Sequence, residues 1–359
     1  MEKQEILGKF LENGLQLDYE SLEYFFNHQD RIRLFFDVVQ QEERPKILTK
    51  DYLSSVLDAQ GGLVEVVKSY SPGKRTLSVD EVTRILHERY SYLKKILSSR
   101  LDLINPISIN KINPKIHSFS SVIMVKEKFD DDNSILAEDD TGEEKFFFEN
   151  REDYEQILPD DTVGIVCENS GKLVIKSVMW PDFQLNRSIN KTETDTNIVA
   201  ISAGFSAELM DKIKRKRLNE DVMIFVEKGG NITIIDKINT KLRSPSVIKV
   251  KNSVIVSISE SSTLTKYEGF EKDPEKFLTS LLRRRNLSPT FSYEGGYSDK
   301  DPYLIDTLPD VMIFSGLKMN FSTNYKGTLV IGVEDFELEN KIWVINLKTR
   351  ETINLPVGV

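Results

Sequence analysis

The stretch FSSVIMVKEKFDDDNSILAEDDTGEEKFFFEN, residues 119–150, decides the first part of the fold because its pattern has the period of two that is typical of β-strands. It predicts one strand in FSSVIMVKE and two more about a turn in NSILAEDDTGEEKFFFE. A short helix is expected in REDYEQI, residues 151–157. The runs TVGIVCE and KLVIKSVMW then predict a hairpin closed by Asn169, Ser170 and Gly171.

Three strands, a helix and two strands is the order of an OB-fold β-barrel, which we expect over residues 113–183. Such barrels commonly bind single strands or oligomers on one face. Because Phe146, Phe147 and Phe148 are consecutive, strand alternation sends some of them inward and some outward. The nearby loops are acidic, and an acidic rim repels phosphate. We therefore favour a structural or protein-contacting barrel over one that grips DNA. The acidic residues are Asp130 to Asp132, Glu138 to Asp140, Glu143 and Glu144.

Upstream of the barrel, apolar residues at positions 1–70 recur every three or four residues, which predicts a small helical bundle. Its dense aromatic residues indicate a core first and a partner-binding surface second. Residues 71–112 are expected to form a linker and a connecting helix that Ser78 caps. A bundle of this kind is more often an interaction module than a catalytic one.

Downstream of the barrel, residues 184–359 alternate apolar strand runs with amphipathic helices. The strand runs include NIVAIS, VMIFVE, SVIVSIS, VMIFSG and GTLVIGV, and the helices include SAELMDKIKRKRL and PEKFLTSLLRRR. This mixture predicts a layered α/β domain with helices flanking the strands. The polar stretch at residues 186–196 is expected to be a linker that leads into it.

The net charge of −9 over 359 residues argues against a protein that coats nucleic acid by electrostatics alone. Two basic runs are nevertheless candidate contacts to DNA or to a partner, although such runs are most often solvated helix faces. The first contains Lys212, Lys214, Arg215, Lys216 and Arg217, and the second contains Arg283, Arg284 and Arg285.

The single cysteine, Cys167, lies in an apolar run and is expected to be a small buried hydrophobic residue. No apolar run approaches the roughly 20 residues needed to cross a bilayer. We therefore expect no contact with a membrane and a cytoplasmic location.

Several segments, in their order and spacing, carry a resemblance to a known family. They are RYSYLKKILSSRLDL, LAEDDTGEEKFFFENRE, ILPDDTVGIV, WPD, LLRRRNLSPTFS, PDVMIFSGLKMN, YKGTLVIG and VINLKTRETINL. The chain resembles the small subunit of archaeal family-D DNA polymerase and is similar to the B subunits of eukaryotic replicative polymerases. The resemblance covers nearly the whole chain. It implies that residues 184–359 form a calcineurin-like phosphoesterase domain.

Active members of that family hold two metal ions with Asp, His and Asn residues from five loops. Here all three histidines, His28, His87 and His117, lie in the first third of the chain. The family's Gly-Asn-His loop has no counterpart, and the match to its Gly-Asp loop, near Val226 and Glu227, is loose. Other residues stand at the remaining ligand positions, namely Ala203, Phe205, Ile258, Gly316 and Lys318. Because two-metal hydrolysis needs imidazole and carboxylate ligands, the resemblance implies an inactivated domain with no metal and no other cofactor.

We therefore expect a non-catalytic accessory subunit that serves DNA replication as a scaffold. The resemblance implies that it docks on the large catalytic polymerase subunit and reaches DNA through that complex, while the N-terminal bundle recruits another replication protein. One alternative is a 3′–5′ exonuclease subunit with atypical metal ligands drawn from Asp182, Asp195, Glu227 and Asp310. Another is a stand-alone OB protein that binds single-stranded DNA.

Overall fold

A computed structural model describes residues 2–27, 29, 32, 35–36, 45–50, 52–53, 62–70, 77–185, 187–215, 221–236, 239–290 and 301–357. Over these residues the chain is a mixed α/β structure. Its first elements are α1 (Lys3–Glu12), β1 (Gln16–Leu17), α2 (Tyr19–Asn27) and β2 (Ile47–Leu48). Several positions of the predicted bundle, including His28, lie outside the described residues.

Aromatic side chains form the centre of the N-terminal segment. The ring of Phe10 lies 4.8 Å from that of Phe25 and 5.7 Å from that of Phe35, measured between centroids. All three side chains are fully buried, together with Ile6 and Leu48. These aromatic residues therefore serve first as the core of the segment.

The prediction that the helical bundle extends to residue 70 is wrong at its end. Residues Val64–Ser69 form strand β3, which pairs antiparallel with a later strand at residues 246–250. The sequence VEVVKS is rich in the β-branched residues that strands favour. Its partner lies far along the chain, so local periodicity does not reveal the pairing.

The predicted connecting helix is present as α3 (Val79–Ser98). The hydroxyl of Ser78 accepts a hydrogen bond from the Glu81 backbone N–H, and the Glu81 carboxylate accepts one from the Ser78 backbone N–H. This reciprocal capping satisfies two donors that the first helical turn would otherwise leave unpaired. A short 3₁₀ turn, Ile109–Lys111, leads into the barrel.

Five strands close into a barrel in the order β4-β5-β6-β8-β7. The elements are β4 (Ser118–Phe129), β5 (Ser134–Asp139), β6 (Gly142–Phe148), α4 (Arg151–Gln156), β7 (Thr162–Asn169) and β8 (Leu173–Met179). Phe146 and Phe148 point into the barrel core, whereas Phe147 lies on the outer face. Cys167 is fully buried in the same core, and burial raises the pKa of its thiol to about 12.

The remaining strands, together with β3, form two six-stranded sheets. The elements are β9 (Asn197–Ile201), α5 (Ala207–Arg215), β10 (Val222–Val226), β11 (Asn231–Ile235), β12 (Asn239–Arg243), β13 (Ser246–Val250), β14 (Val254–Glu260), α6 (Glu268–Lys272), α7 (Pro274–Arg284), β15 (Val311–Leu317), β16 (Phe321–Tyr325), β17 (Thr328–Glu334), α8 (Phe336–Glu339), β18 (Lys341–Asn346) and β19 (Thr352–Pro356). One sheet has the order β12-β11-β10-β9-β18-β19, and the other has the order β16-β17-β15-β14-β13-β3.

A single apolar core joins the inner faces of the two sheets, with Ile198 and Ile224 from one packed among Val256 and Ile313 from the other. The outer face of the first sheet packs against α5, and that of the second packs against α6 and α7. The domain is therefore a sandwich of two sheets between helices. Among the helices that the structure describes, none is long and apolar enough to span a membrane.

The linker predicted at residues 186–196 differs from the structure, because residues 187–196 are bound to the sandwich; residue 186 lies outside the described residues. Arg187 Nη2 donates to the carbonyl of Pro309 over 2.6 Å, and the backbone N–H of Asn190 donates to Asp310 over 3.1 Å. The side chain of Thr192 is buried. The polar composition predicted a solvent-exposed segment, but Arg187 and Asn190 pair with buried polar groups of a distant loop.

Candidate functional site

The parallel strands of both sheets bring their carboxyl ends to one edge of the sandwich. Strand β9 is parallel to β10, and β15 is parallel to β14 and β17. An isolated bridge between Ser202 and Asp335 joins the ends of β9 and β17, and so connects the two sheets at this edge. In α/β sheets ligand sites commonly lie outside the carboxyl ends of strands.

The predicted degenerate positions all lie in or beside this region, and none of them offers an anionic or imidazole ligand. Ile258 is fully buried in the core between the sheets. Phe205 is 44% exposed and its ring packs edge-on against Phe225, with 5.4 Å between centroids. Ala203 packs on the outer core beside α5, and Lys318 is exposed.

Gly316 lies near the end of β15, where the register of that strand against β17 shifts, and its conformation explains why a glycine stands there. Its φ is +77°, and a Cβ at this position would lie 2.9 Å from Glu260 Oε1. Its N–H donates to Ser202 Oγ over 2.9 Å, and Ser202 Oγ donates to Asp335 Oδ1 over 3.1 Å. A side chain at residue 316 would therefore strain the backbone and collide with a carboxylate.

The carboxylates at this edge hold the strand ends in place. Glu260 accepts hydrogen bonds from the backbone and the hydroxyl of Ser262, at 2.9 and 2.6 Å. Glu334 accepts one from Asn320 Nδ2 at 2.8 Å, and burial raises the pKa of Glu334 above its ordinary value. Within the described ranges, no three His, Cys, Asp or Glu side chains are arranged to hold a metal ion.

The four carboxylates of the alternative exonuclease do not converge. Asp310 is fully buried before the amino end of β15, where it accepts from the Ile255 N–H at 2.9 Å. Glu227 follows the carboxyl end of β10, and Asp195 is exposed before β9. Asp182 accepts from the Tyr325 hydroxyl at 2.9 Å and from Lys326 Nζ at 2.6 Å. Asp182 and Asp310 thus serve structural contacts.

The second basic run, Arg283 to Arg285, lies at the junction between barrel and sandwich. Arg284 is buried, and its Nε lies 3.1 Å from Oδ1 of the equally buried Asp161 of the barrel. Its Nη1 donates to Ser280 and its Nη2 to the carbonyl of Gln156. The prediction that Arg284 contacts DNA or a partner is therefore wrong, because Nε, Nη1 and Nη2 of its guanidinium all donate hydrogen bonds inside the junction.

The two neighbouring arginines hold the segment that links barrel to sandwich. The guanidinium carbons of Arg283 and Arg284 lie 4.4 and 4.6 Å from the ring of Trp180. Arg285 donates from Nε to the carbonyl of Pro181 over 2.7 Å and lies 5.2 Å from the ring of Phe183. Burial lowers the pKa of both Arg283 and Arg285. We call these residues, together with Asp161, the arginine junction.

The sequence pattern does not predict the arginine junction, although it contains both of its parts, the WPDF segment and the arginine run. Only folding brings residues 180–183 beside residues 283–285. A cleft of about 1030 Å³ adjoins the junction between α4 and α7. Its lining mixes Lys128, Arg151 and Lys276 with Glu152 and Asp273, so no single sign of charge dominates it.

The first basic run behaves differently, because α5 presents part of it to solvent. Lys214 and Arg215 are exposed, and Lys212 Nζ lies 3.0 Å from Glu208 one turn earlier. Lys216 and Arg217 lie outside the described residues. Contact between this run and DNA or a partner stays a prediction.

No protein-family model matches the chain, and no curated protein matches it.

Proposed function

We propose that the chain is a non-catalytic accessory subunit of an archaeal replicative DNA polymerase of family D, with an OB-fold barrel and an inactivated phosphoesterase-like domain. It acts in DNA replication by docking on the large catalytic subunit. This proposal rests on the resemblance in sequence. The observation that supports it is found at the strand ends of the sandwich. Ile258, Gly316 and Lys318, which stand where the resemblance would place metal ligands, offer no imidazole and no carboxylate there.

The arginine junction supports a scaffolding role. A buried ion pair and two stacked guanidinium groups fix the barrel against the sandwich, so the two present one composite surface to a partner. A scaffold needs such fixed geometry, because flexible joints raise the entropy cost of association. The N-terminal segment carries the exposed side chains of Leu11, Tyr19 and Ile47, which suit it for recruiting another replication protein.

The test is co-expression of the full chain with the large polymerase subunit from the same organism. We expect a complex of one copy of each, detected by size-exclusion chromatography with light scattering. A matched pair of variants locates the docking role: Arg284→Met, which loosens the junction, should weaken the complex, whereas Phe26→Leu in the N-terminal segment should not. Separate elution of the two wild-type chains would refute the proposal.

The chemical half of the proposal is tested on the isolated chain. Labelled single-stranded DNA with Mn²⁺ should stay intact, because among the residues that the structure describes no three His, Cys, Asp or Glu side chains are arranged to hold a metal ion. A nucleotide-releasing activity that stays with the chain through a further chromatographic step would instead favour the exonuclease alternative, provided that the Glu227→Gln variant lacks this activity.

A further inference from the structure

The outer face of the barrel carries two phenylalanine rings beside two lysines. Phe129 of β4 and Phe147 of β6 lie on opposite sides of Ser134, because each is paired in register with that residue of β5. The three residues therefore form one row across three strands, and their side chains share a face. Both rings remain partly exposed. Neighbouring strands lie about 4.8 Å apart, so the rings stand on the order of 10 Å apart.

The two lysines place positive charge directly at these rings. Lys145 Nζ lies 4.7 Å from the centroid of Phe129 and 5.3 Å from that of Phe147. Lys172 Nζ lies 4.9 Å from the centroid of Phe147, on the loop between β7 and β8. We call Phe129, Lys145, Phe147 and Lys172 the ring–lysine patch.

The acidic loops that argued against nucleic acid are largely engaged by their own partners. Asp130 accepts from the Tyr154 hydroxyl at 2.6 Å, and Asp140 accepts from Lys94 at 2.6 Å. Lys126 Nζ lies 3.2 Å from Glu138 and 2.7 Å from Glu143. Within the patch, Asp132 Oδ2 lies 2.8 Å from Lys145 Nζ, and its charge also attracts that of Lys172. One carboxylate therefore faces two lysines, and the patch keeps a net positive charge.

We propose that the ring–lysine patch binds single-stranded nucleic acid, with bases stacked on Phe147 and Phe129 and phosphates beside Lys145 and Lys172. Stacking of a base on an aromatic ring is stronger than an exposed contact between a lysine and a ring, so a base can displace each ammonium. The displaced ammonium, on its flexible stem, then reaches the adjacent phosphate. Unpaired bases expose the faces that stack on the two rings, whereas a duplex hides its base faces.

The experiment measures fluorescence anisotropy of a labelled oligothymidylate of about 15 nucleotides with the isolated full chain at low salt. We expect saturable binding that Phe147→Leu weakens about fivefold or more, because leucine keeps the apolar bulk and lacks the π face. Phe147→Tyr should retain binding. Lys172→Gln should reduce the slope of log affinity against log salt by about 0.7, the value for one phosphate contact to a single strand.

A matched control exists in the N-terminal segment, where Lys3 Nζ lies 5.0 Å from the ring of Phe26. Phe26→Leu removes the same kind of pair elsewhere and should bind like the unchanged chain. Circular dichroism and thermal melting establish that each variant folds. Three results would overturn the proposal: no saturation up to about 100 μM protein, equal affinity of Phe147→Leu and the unchanged chain, or equal competition by a duplex. A surface that serves a protein partner instead would give the first of these.

Discussion

At the scale of single residues, the arginine run shows how burial changes the role of a charge. Arg283, Arg284 and Arg285 follow one another, yet Arg284 is enclosed with Asp161 while its neighbours stack on aromatic rings. Burial raises the pKa of Asp161, and the guanidinium of Arg284 opposes that rise. Each member of the pair is therefore costly to keep without the other.

Replacing Arg284 by methionine should lower the free energy of unfolding by about 3–5 kcal/mol, because Asp161 would remain buried without its partner. The loss should shrink as the pH falls. Without the guanidinium the pKa of Asp161 in the folded state rises further, so the Asp161 carboxylate is protonated at a higher pH in the variant than in the unchanged chain. Protonation removes the buried charge and restores part of the lost stability. Urea unfolding at several pH values measures both effects. The double variant Arg284→Met with Asp161→Asn should recover much of the loss, and a double variant as unstable as the single one would contradict this account.

Glu334 gives a second prediction at this scale. Burial raises its pKa in the folded state, so the folded chain prefers the protonated carboxyl. The stability that Glu334 contributes is thus greatest below its ordinary pKa and is lost as the pH rises through the raised value. Glu334→Gln should therefore gain stability relative to the unchanged chain as the pH rises above the ordinary carboxyl pKa of about 4. Denaturation at several pH values on both sides of the ordinary carboxyl pKa checks this, and a difference between the two chains that does not change with pH would contradict it.

Gly316 gives a third prediction. Gly316→Ala should lower the free energy of unfolding by about 1–3 kcal/mol, because φ is +77° and the new Cβ would meet Glu260. Gly171, with φ of +96° and open space around its Cβ position, separates the two causes. Gly171→Ala should carry the backbone cost alone, so a larger loss at residue 316 would measure the clash. Equal losses would show that Glu260 moves aside.

At the scale of elements, helix α3 is specified by its own sequence. Its apolar stripe and the Ser78–Glu81 capping pair both lie within one segment, so the sequence predicts its position and its start. Ser78→Ala should lower the stability of the chain by about 1 kcal/mol. Thermal unfolding measures this, and Thr83→Ala, which removes a hydroxyl from the exposed face of the same helix, is the matched control. Equal losses from both variants would mean that the cap contributes nothing specific.

Strand β3 is the contrasting case among the elements. Its residues 64–69 gain their conformation from pairing with β13, about 180 residues away in the sequence. The same holds for residues 187–196, where Arg187 and Asn190 pair with the loop near residue 310. Local pattern predicts an element when the element's stability is local, and it fails where partners are distant.

At the scale of the whole molecule, the arginine junction makes the barrel and the sandwich one body. Trp180→Ala should separate their unfolding into two transitions in calorimetry, because the indole ring joins both Arg283 and Arg284 to the linking segment. Trp343 lies within the sandwich, where its Nε1 donates to Asn320 and to the Gly332 carbonyl at 2.9 Å each. Trp343→Phe should lower stability and keep one transition. A single transition in Trp180→Ala would mean that other contacts couple the two parts.

Local patterns in the sequence are enough to predict the strands of the barrel, the connecting helix and the alternation of strands and helices after residue 197. Composition alone shows that no histidine lies beyond residue 117. These are properties of local periodicity and of composition, and each can be read within a short window. Tertiary structure alone decided that Arg284 is an anchor, that residues 64–69 complete a sheet, and that Gly316 is held against Glu260. It also placed Phe129 and Phe147 on either side of Ser134. Each of these depends on contacts between distant segments, which form only when the apolar faces of both sheets and the barrel are buried together.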